Sequence, residues 1–181
     1  MYGLARWFYA RRVYPEGGEP RYHLVCGDVA QMPFRCCYFD LVSSVAAFEH
    51  FLDVPAVIAE LARVLKPAGM VWIVIHPFTA PSGGHNVKLM EIPLQTLPKG
   101  VAPWDHLRQR RLPFHVPLNE WRIQQYLEAF SGHFDILKHG CALREGQHLL
   151  TAKIAAELSA YTREELTCLA YTIVARKKPS R

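Results

Sequence analysis

No run of apolar residues reaches the ~18 needed to cross a bilayer as a helix, so no membrane span is expected. The opening stretch MYGLARWFYARR has basic residues but neither a clean apolar core nor a small-residue cleavage site. A secretory leader is therefore not expected, and the chain reads as cytoplasmic. Cysteine is sparse, odd in number at five, and never paired as CxxC. Cys26 and Cys168 sit in apolar runs and read as small core residues, while Cys36-Cys37 falls in a turn. All five are expected as reduced thiols, neither a disulfide framework nor a metal knuckle. The formal charge of +5 is modest. Its basic clusters, Arg108 to Arg111 and Arg176 to Arg181, lack interleaved aromatics, so they read as solvated faces and nucleic acid is not an expected substrate. With no repeat, linker or composition break, the 181 residues are expected to form a single domain.

What is present is concentrated between Cys26 and Pro77. Tyr22 to Cys26 is a short β-prone run ending at Gly27-Asp28, and Phe39 to Val45 is a second. Val54, Val57, Ile58, Leu61, Val64 and Leu65 recur at helical spacing. Asp53 precedes them as an N-cap, with Pro55 in the first turn. Lys66-Pro67-Ala68-Gly69 then ends the helix. Met70 to His76 is apolar almost throughout, as in a strand buried on both faces of a parallel sheet. The stretch therefore predicts a βαβ unit.

Around this unit the sequence is less regular. Residues 1 to 12 predict a helix with Leu4, Trp7, Phe8 and Arg11 on neighbouring turns. Seven of the 13 prolines fall between Pro77 and Pro117, which predicts a long loop. In open α/β sheets such a loop lies over the ligand crevice, as a lid. Asn119 to Ser131 reads as a helix capped by Asn119, and Phe134 to Leu137 as a short strand. Leu150, Ile154 and Leu158 form another helical stripe. Thr162 to Glu165 has capping-box spacing, and Leu169 to Arg176 reads as the last strand.

Four pieces in order resemble the second half of a class I S-adenosylmethionine (SAM) dependent methyltransferase: Gly27-Asp28-Val29 with Met32-Pro33-Phe34, Phe39-Asp40-Leu41-Val42, Phe48-Glu49-His50, and Leu65-Lys66-Pro67-Ala68-Gly69. The resemblance implies an α/β fold, a three-layer Rossmann-like methyltransferase sheet whose last strand is antiparallel. The family's glycine-rich SAM loop and ribose-gripping acid lie upstream of anything in this chain, so the resemblance also implies a domain without its first two strands. Tyr22–Cys26 is then expected to slide over and pair directly with Phe39–Val45. Where the family usually has two glycines after the helix, Ala68 replaces the first.

By the same resemblance Asp28 accepts a hydrogen bond from the adenine amino group and the Val29 N–H meets the ring. The other reading of Asp28 is a cap for the turn that follows. Ser44 and Val45 would approach the methionine part of SAM, with His50 near the same end or simply packed. Glu49 reads as a solvated or capping group. In the loop, Ser82-Gly83-Gly84-His85, Trp104-Asp105-His106-Leu107-Arg108 and Leu118-Asn119 are similar to a subgroup of these enzymes associated with glycan assembly. His85 and His106 are the candidate bases, with glycines letting the backbone approach a ligand. Trp104 and Arg108 are the candidate substrate contacts. The alternative is that Trp104 and Leu107 anchor the loop while the two histidines bond backbone groups. No third ligand for a histidine metal site is evident, so no metal is expected. A histidine base would serve a hydroxyl acceptor, so the resemblance implies O-methylation of a small molecule or glycan with SAM as cofactor. The other implied possibility is a non-catalytic remnant or binding subunit that keeps the fold without SAM.

Overall fold

Phe39–Val45 forms strand β1, and its chain direction sets the frame for everything that follows. A computed structural model describes residues 23–86, 89, 97 and 99–179; the helix expected over residues 1 to 12 lies outside them. Helix α1 spans Val54–Val64. It begins where expected, with Asp53 Oδ1 accepting the Ala56 N–H at 3.0 Å and Pro55 in the first turn. Its apolar stripe of Val54, Val57, Ile58, Leu61 and Val64 is buried.

Strand β2, Leu65–Ile75, runs parallel to β1. Pairing jumps from Phe39–Leu65 to Leu41–Met70, so residues 66–69 bulge out of the ladder. This is the expected turn, absorbed into the strand. A Cβ on Gly69 would sit 2.9 Å from the Lys66 carbonyl oxygen and 3.3 Å from that of Asp40, so only glycine fits. Ala68 takes φ +59°, the left-handed region, where its Cβ costs energy that glycine avoids. Lys66 Nζ meets both Asp40 carboxylate oxygens at 2.8 and 2.9 Å, but Asp40 is so exposed that the pair adds little stability.

The remaining elements are α2 (Asp105–Arg108), α3 (Ile123–His133), β3 (Phe134–Arg144), α4 (Ala152–Glu157), α5 (Arg163–Thr167) and β4 (Cys168–Lys177). The sheet order is β1-β2-β4-β3, with β4 antiparallel to both neighbours, as expected of the last strand. Val71, Ile73, Ile75, Ile173 and Ala175 point to one face and pack against α1 and α3. Aromatic contacts seal this layer, Phe48 to Phe130 at 5.4 Å and Phe130 to Phe134 at 5.8 Å between ring centroids. The opposite face of β2 is more open than its composition predicts: Trp72 is 44% exposed.

Several expectations are corrected. Residues 23–26 form no strand, and Leu24, Val25 and Cys26 are exposed, so direct pairing with β1 does not occur. Among the described residues β1 pairs with β2 alone. The β3 strand continues to Arg144 because Lys138, His139 and Arg144 are tolerated on an edge strand. Helix α3 begins at Ile123 with Arg122, not Asn119, at its N-cap. Helix α5 has the reciprocal cap, with the Glu165 N–H on Thr162 Oγ1 at 3.2 Å and the Thr162 N–H on Glu165 Oε2 at 2.9 Å. No helix among the described residues is long and apolar enough to cross a membrane.

Relieving the left-handed alanine gives a direct test. Ala68→Gly should raise the free energy of unfolding by about 0.5–1 kcal/mol, the backbone relief outweighing the added unfolded-state entropy. Urea denaturation of both chains measures it, and an unchanged or lowered midpoint would contradict strain at this position.

Candidate active site at the carboxyl ends of β1 and β2

Ligands in open α/β sheets bind beyond the carboxyl ends of the strands. Here that end is built from the turn after β1 and the loop after β2. The first is the 3₁₀ turn Phe48–His50. Phe48 is fully buried in the core. Its neighbour Glu49, expected as a solvated or capping group, is drawn in with it and is only 2% exposed. Asn119 fixes the turn from outside: its Nδ2 donates to the Phe48 and Phe51 carbonyls at 2.8 and 2.9 Å. The Asn119 N–H adds a bond to the Glu49 carbonyl at 3.0 Å.

The second piece is the run of tight turns from Pro77 to His85. A Cβ on Gly83 would lie 2.3 Å from the Phe78 carbonyl oxygen, and one on Gly84 would lie 2.9 Å from His106 Cβ. The glycines therefore let the loop fold onto itself and onto His106, rather than onto a ligand as the sequence suggests. Ser82 is tied to the buried Glu145, whose Oε1 accepts its N–H at 3.0 Å and also its hydroxyl. His85 has φ +47°, an uncommon conformation for a residue with a side chain, held by turns on both sides.

These two pieces bring Glu49, His76 and His85 together, with one possible ligand atom of each within 4.8 Å of the others. The His50 ring lies 4.8 Å from that of His85, and the His76 ring 4.6 Å from it. His50 Nδ1 donates to the Pro117 carbonyl at 3.0 Å, and its Nε2 lies 4.0 Å from Glu49 Oε1. Glu49 Oε1 and His85 Nε2 are buried without a hydrogen-bond partner. Burial raises the Glu49 carboxyl above its ordinary value. It lowers His76 and His85 to about 4, with the neighbouring histidines adding to the effect. At neutral pH both imidazoles are uncharged.

The other candidates divide. His106 is 4% exposed and donates from Nε2 to the Phe78 carbonyl at 2.7 Å, bracing Gly84 from behind. Its contacts are those of a support for His85, not of a second base facing the crevice. Trp104 is 1% exposed and its Nε1 is shared between the Thr79 and Leu166 carbonyls at 3.1 and 3.0 Å. Packed with Leu150, Ile154, Leu158 and Leu166, it anchors the loop instead of facing a substrate. Arg108 is likewise engaged, with Nε on Glu157 Oε2 at 2.7 Å.

Asp28 is exposed, and its Oδ1 accepts the Ala30 N–H at 2.8 Å, which is the capping arrangement. Beside it Val25, Gly27, Val29, Met32, Pro33 and Phe34 line a hollow of about 170 Å³. The loop below is fixed to α1, with the Met32 N–H on Glu60 Oε1 at 2.7 Å and Arg63 bridging both. Ser44 is half-buried and Val45 is 58% exposed on the open side of β1. His76 and Glu145 escape sequence reasoning altogether, and Ser82 enters it only as a neighbour of the glycines. The weak signal for the carboxylate and the histidine is adjacency alone: Glu49 beside a phenylalanine in the core, His76 at the end of an apolar run.

Comparison with known proteins points in one direction. The methyltransferase-domain family model matches residues 7–73. The chain is 35% identical over 65 residues to the biotin biosynthesis bifunctional protein BioHC of Cellvibrio japonicus, covering 36% of this chain and 12% of that one. Among solved structures, an S-adenosylmethionine dependent methyltransferase from Mesorhizobium loti aligns with TM-score 0.53 and 18% identity, covering 96% of this chain and 74% of the other. Protein PH0226 of Pyrococcus horikoshii aligns with TM-score 0.56 and 18% identity, covering 95% and 65%. The chain thus spans about an eighth of the bifunctional relative and under two thirds of the Pyrococcus protein.

The buried histidines make stability depend on pH. His106 falls from 6.5 in the unfolded chain to about 4 in the fold through burial. Between these values the unfolded chain binds more protons, so stability is complete above pH 6.5 and is lost as pH falls toward 4. Glu49, shifted upward, acts in the opposite direction and offsets part of the loss. His106 alone should account for on the order of 3 kcal/mol. Urea midpoints measured across this range should fall with pH, and His106→Gln should flatten the slope; an unchanged slope would show that His106 titrates freely in the fold.

Proposed function

Because residues 7–73 match the methyltransferase-domain family and the sheet resembles those of class I methyltransferases, we propose that the chain carries SAM-dependent methyl transfer to a hydroxyl of a small molecule or glycan. The observation that carries the hydroxyl assignment is His85 Nε2, a buried ring nitrogen without a partner at the carboxyl end of β2.

The hollow beside Asp28 is smaller than the ~300 Å³ of a complete small-molecule pocket and suits one flat ring. Its apolar walls and exposed carboxylate fit the adenine end of the cofactor. Asp28 has a second oxygen beyond the one that caps Ala30, so capping the turn and binding the amino group are compatible. Asp28 and Val29 would hold the adenine, and Ser44 and Val45 would lie toward the methionine end. When bound, the cofactor supplies an electrophilic methyl group on its sulfonium.

The protein's own part is to align the acceptor and receive its proton. Uncharged His85 accepts the hydroxyl proton at Nε2. The resulting imidazolium faces the Glu49 carboxylate, which stabilises it in a site with little water. A histidine shifted to about 4 is a weak base, so this charge partner is needed to make the transfer favourable. His50, anchored to Pro117, borders both the same carboxylate and the His85 ring.

Two measurements test the reading. With methyl-labelled SAM and a panel of sugars and phenols, His85→Gln should lower transfer by about 10²–10⁴-fold, whereas the exposed His133→Gln should not; a loss under about threefold would remove His85 from the proton path. Separately, Asp28→Asn should weaken SAM binding by about 1.5–3 kcal/mol in calorimetry. Equal affinity would leave Asp28 as a turn cap only.

A further inference from the structure

We propose that Glu49, His76 and His85 form a binding site for a first-row divalent transition-metal ion, of which Zn²⁺ is the type, at the carboxyl end of the sheet. The histidines of the loop lack a visible third ligand in sequence; the fold supplies it by bringing the turn after β1 against the end of β2. The three donor atoms lie within 4.8 Å of one another. An ion bonded at ~2.0–2.1 Å to each would set them about 3.4 Å apart, so the site must close by on the order of 1 Å. His85 makes its share of that movement through its χ angles, since its backbone is held by flanking turns.

The hydrogen bonding prepares the donors. The Ser82 hydroxyl donates to the buried Glu145 carboxylate. Its oxygen must then accept from His76 Nε2–H, 2.8 Å away. This fixes the tautomer of His76 and leaves Nδ1 with its lone pair, an outer carboxylate–hydroxyl–imidazole arrangement of the kind that orients metal ligands. His85 Nε2 and Glu49 Oε1 are both buried without a partner. The second Glu49 oxygen has only a long contact, 3.5 Å from the His76 N–H. A buried carboxylate left so poorly paired is costly unless a cation joins it. Two imidazoles and one carboxylate favour Zn²⁺, Co²⁺ or Fe²⁺ over Mg²⁺ and Ca²⁺, which prefer oxygen alone. Three protein ligands leave a coordination position open, and His50 Nε2, 4.0 Å from Glu49 Oε1, borders it. This rests on the proposed methyl transfer only for its use: an ion there would bind the acceptor hydroxyl and lower its pKa, so that its proton would leave to solvent and His85, then a ligand, would not be the base.

The test is made on the full chain after chelator treatment, without SAM or acceptor. Zn²⁺ titrated by calorimetry should bind at one equivalent, and Co²⁺ should give visible d–d bands without a thiolate charge-transfer band. Glu49→Gln and His85→Ala should each weaken Zn²⁺ by more than about tenfold, and Ser82→Ala by about 10–100-fold through the freed His76 ring. The exposed His133→Ala and the double change Cys36→Ser with Cys37→Ser should have no effect. The proposal is overturned by no bound equivalent, by a thiolate band in the wild-type Co²⁺ spectrum, or by unchanged affinity in both Glu49→Gln and His85→Ala. The Co²⁺ spectrum needs no variant, so it decides the question even where a substitution fails to fold. Binding without methyl transfer would leave the metal site standing and count against the transfer alone.

Discussion

The side-chain amide of Asn119 uses its whole hydrogen-bonding capacity in one place. Two N–H groups go to the Phe48 and Phe51 carbonyls, while Oδ1 accepts from the Trp121 N–H and the Tyr126 hydroxyl. It thereby joins the turn after β1 to the start of α3, segments separated by 71 positions between Phe48 and Asn119. Glu49 and His50 can be held in a buried corner only because this turn is not free to relax. The Tyr126 hydroxyl that bonds Asn119 belongs to a ring packed on Phe48, itself against Phe130. The turn and the core therefore share one constraint.

The described residues of the loop after β2 are held chiefly by side-chain bonds to other elements, with α2 its short helix. The loop's bonds run outward to two parts of the chain: Ser82 to Glu145 just past β3, and Thr79 Oγ1 at 2.8 Å and Trp104 Nε1 to the Glu165 and Leu166 carbonyls of α5. Glu165 in turn receives Arg122 in a bidentate pair at 2.7 and 2.8 Å, which ties the start of α3 to α5. The two glycines remove side chains where backbone must touch backbone or His106. The result is a floor of paired polar groups beneath Glu49 Oε1 and His85 Nε2, which have no such partners.

The βαβ unit was legible because its signals are local. Asp53, Pro55 and the 3.6-residue stripe of α1 act within the segment itself, and so does the last strand's apolar pattern. The left-handed Ala68 was visible as a departure from the glycine of the resembling family. What was not legible depends on distant partners. A β-prone run at Tyr22–Cys26 becomes a strand only with a neighbour, and residues 23–26 have none. Asn119 looks like an N-cap in sequence, but the distant carbonyls of Phe48 and Phe51 decide its role. His85 was found from its glycines, though for a different reason than ligand approach. Glu49 and His76, a buried carboxylate and a histidine ending a strand, carry no local pattern; the fold alone makes them neighbours.

Strand β4 lies between β2 and β3, and among the described residues β3 pairs with no other strand. Of the four described strands, the last to leave the ribosome is thus the one that joins the two halves. Until Cys168–Lys177 is available, β3 has two open edges and the β2 edge at Met70–Ile75 is uncovered. Helix α3 and the Asn119 turn can form early against α1, but the sheet cannot. Folding during synthesis must therefore wait for residues 168–177, and a nascent chain halted shortly before them would expose an apolar edge that chaperones are suited to hold.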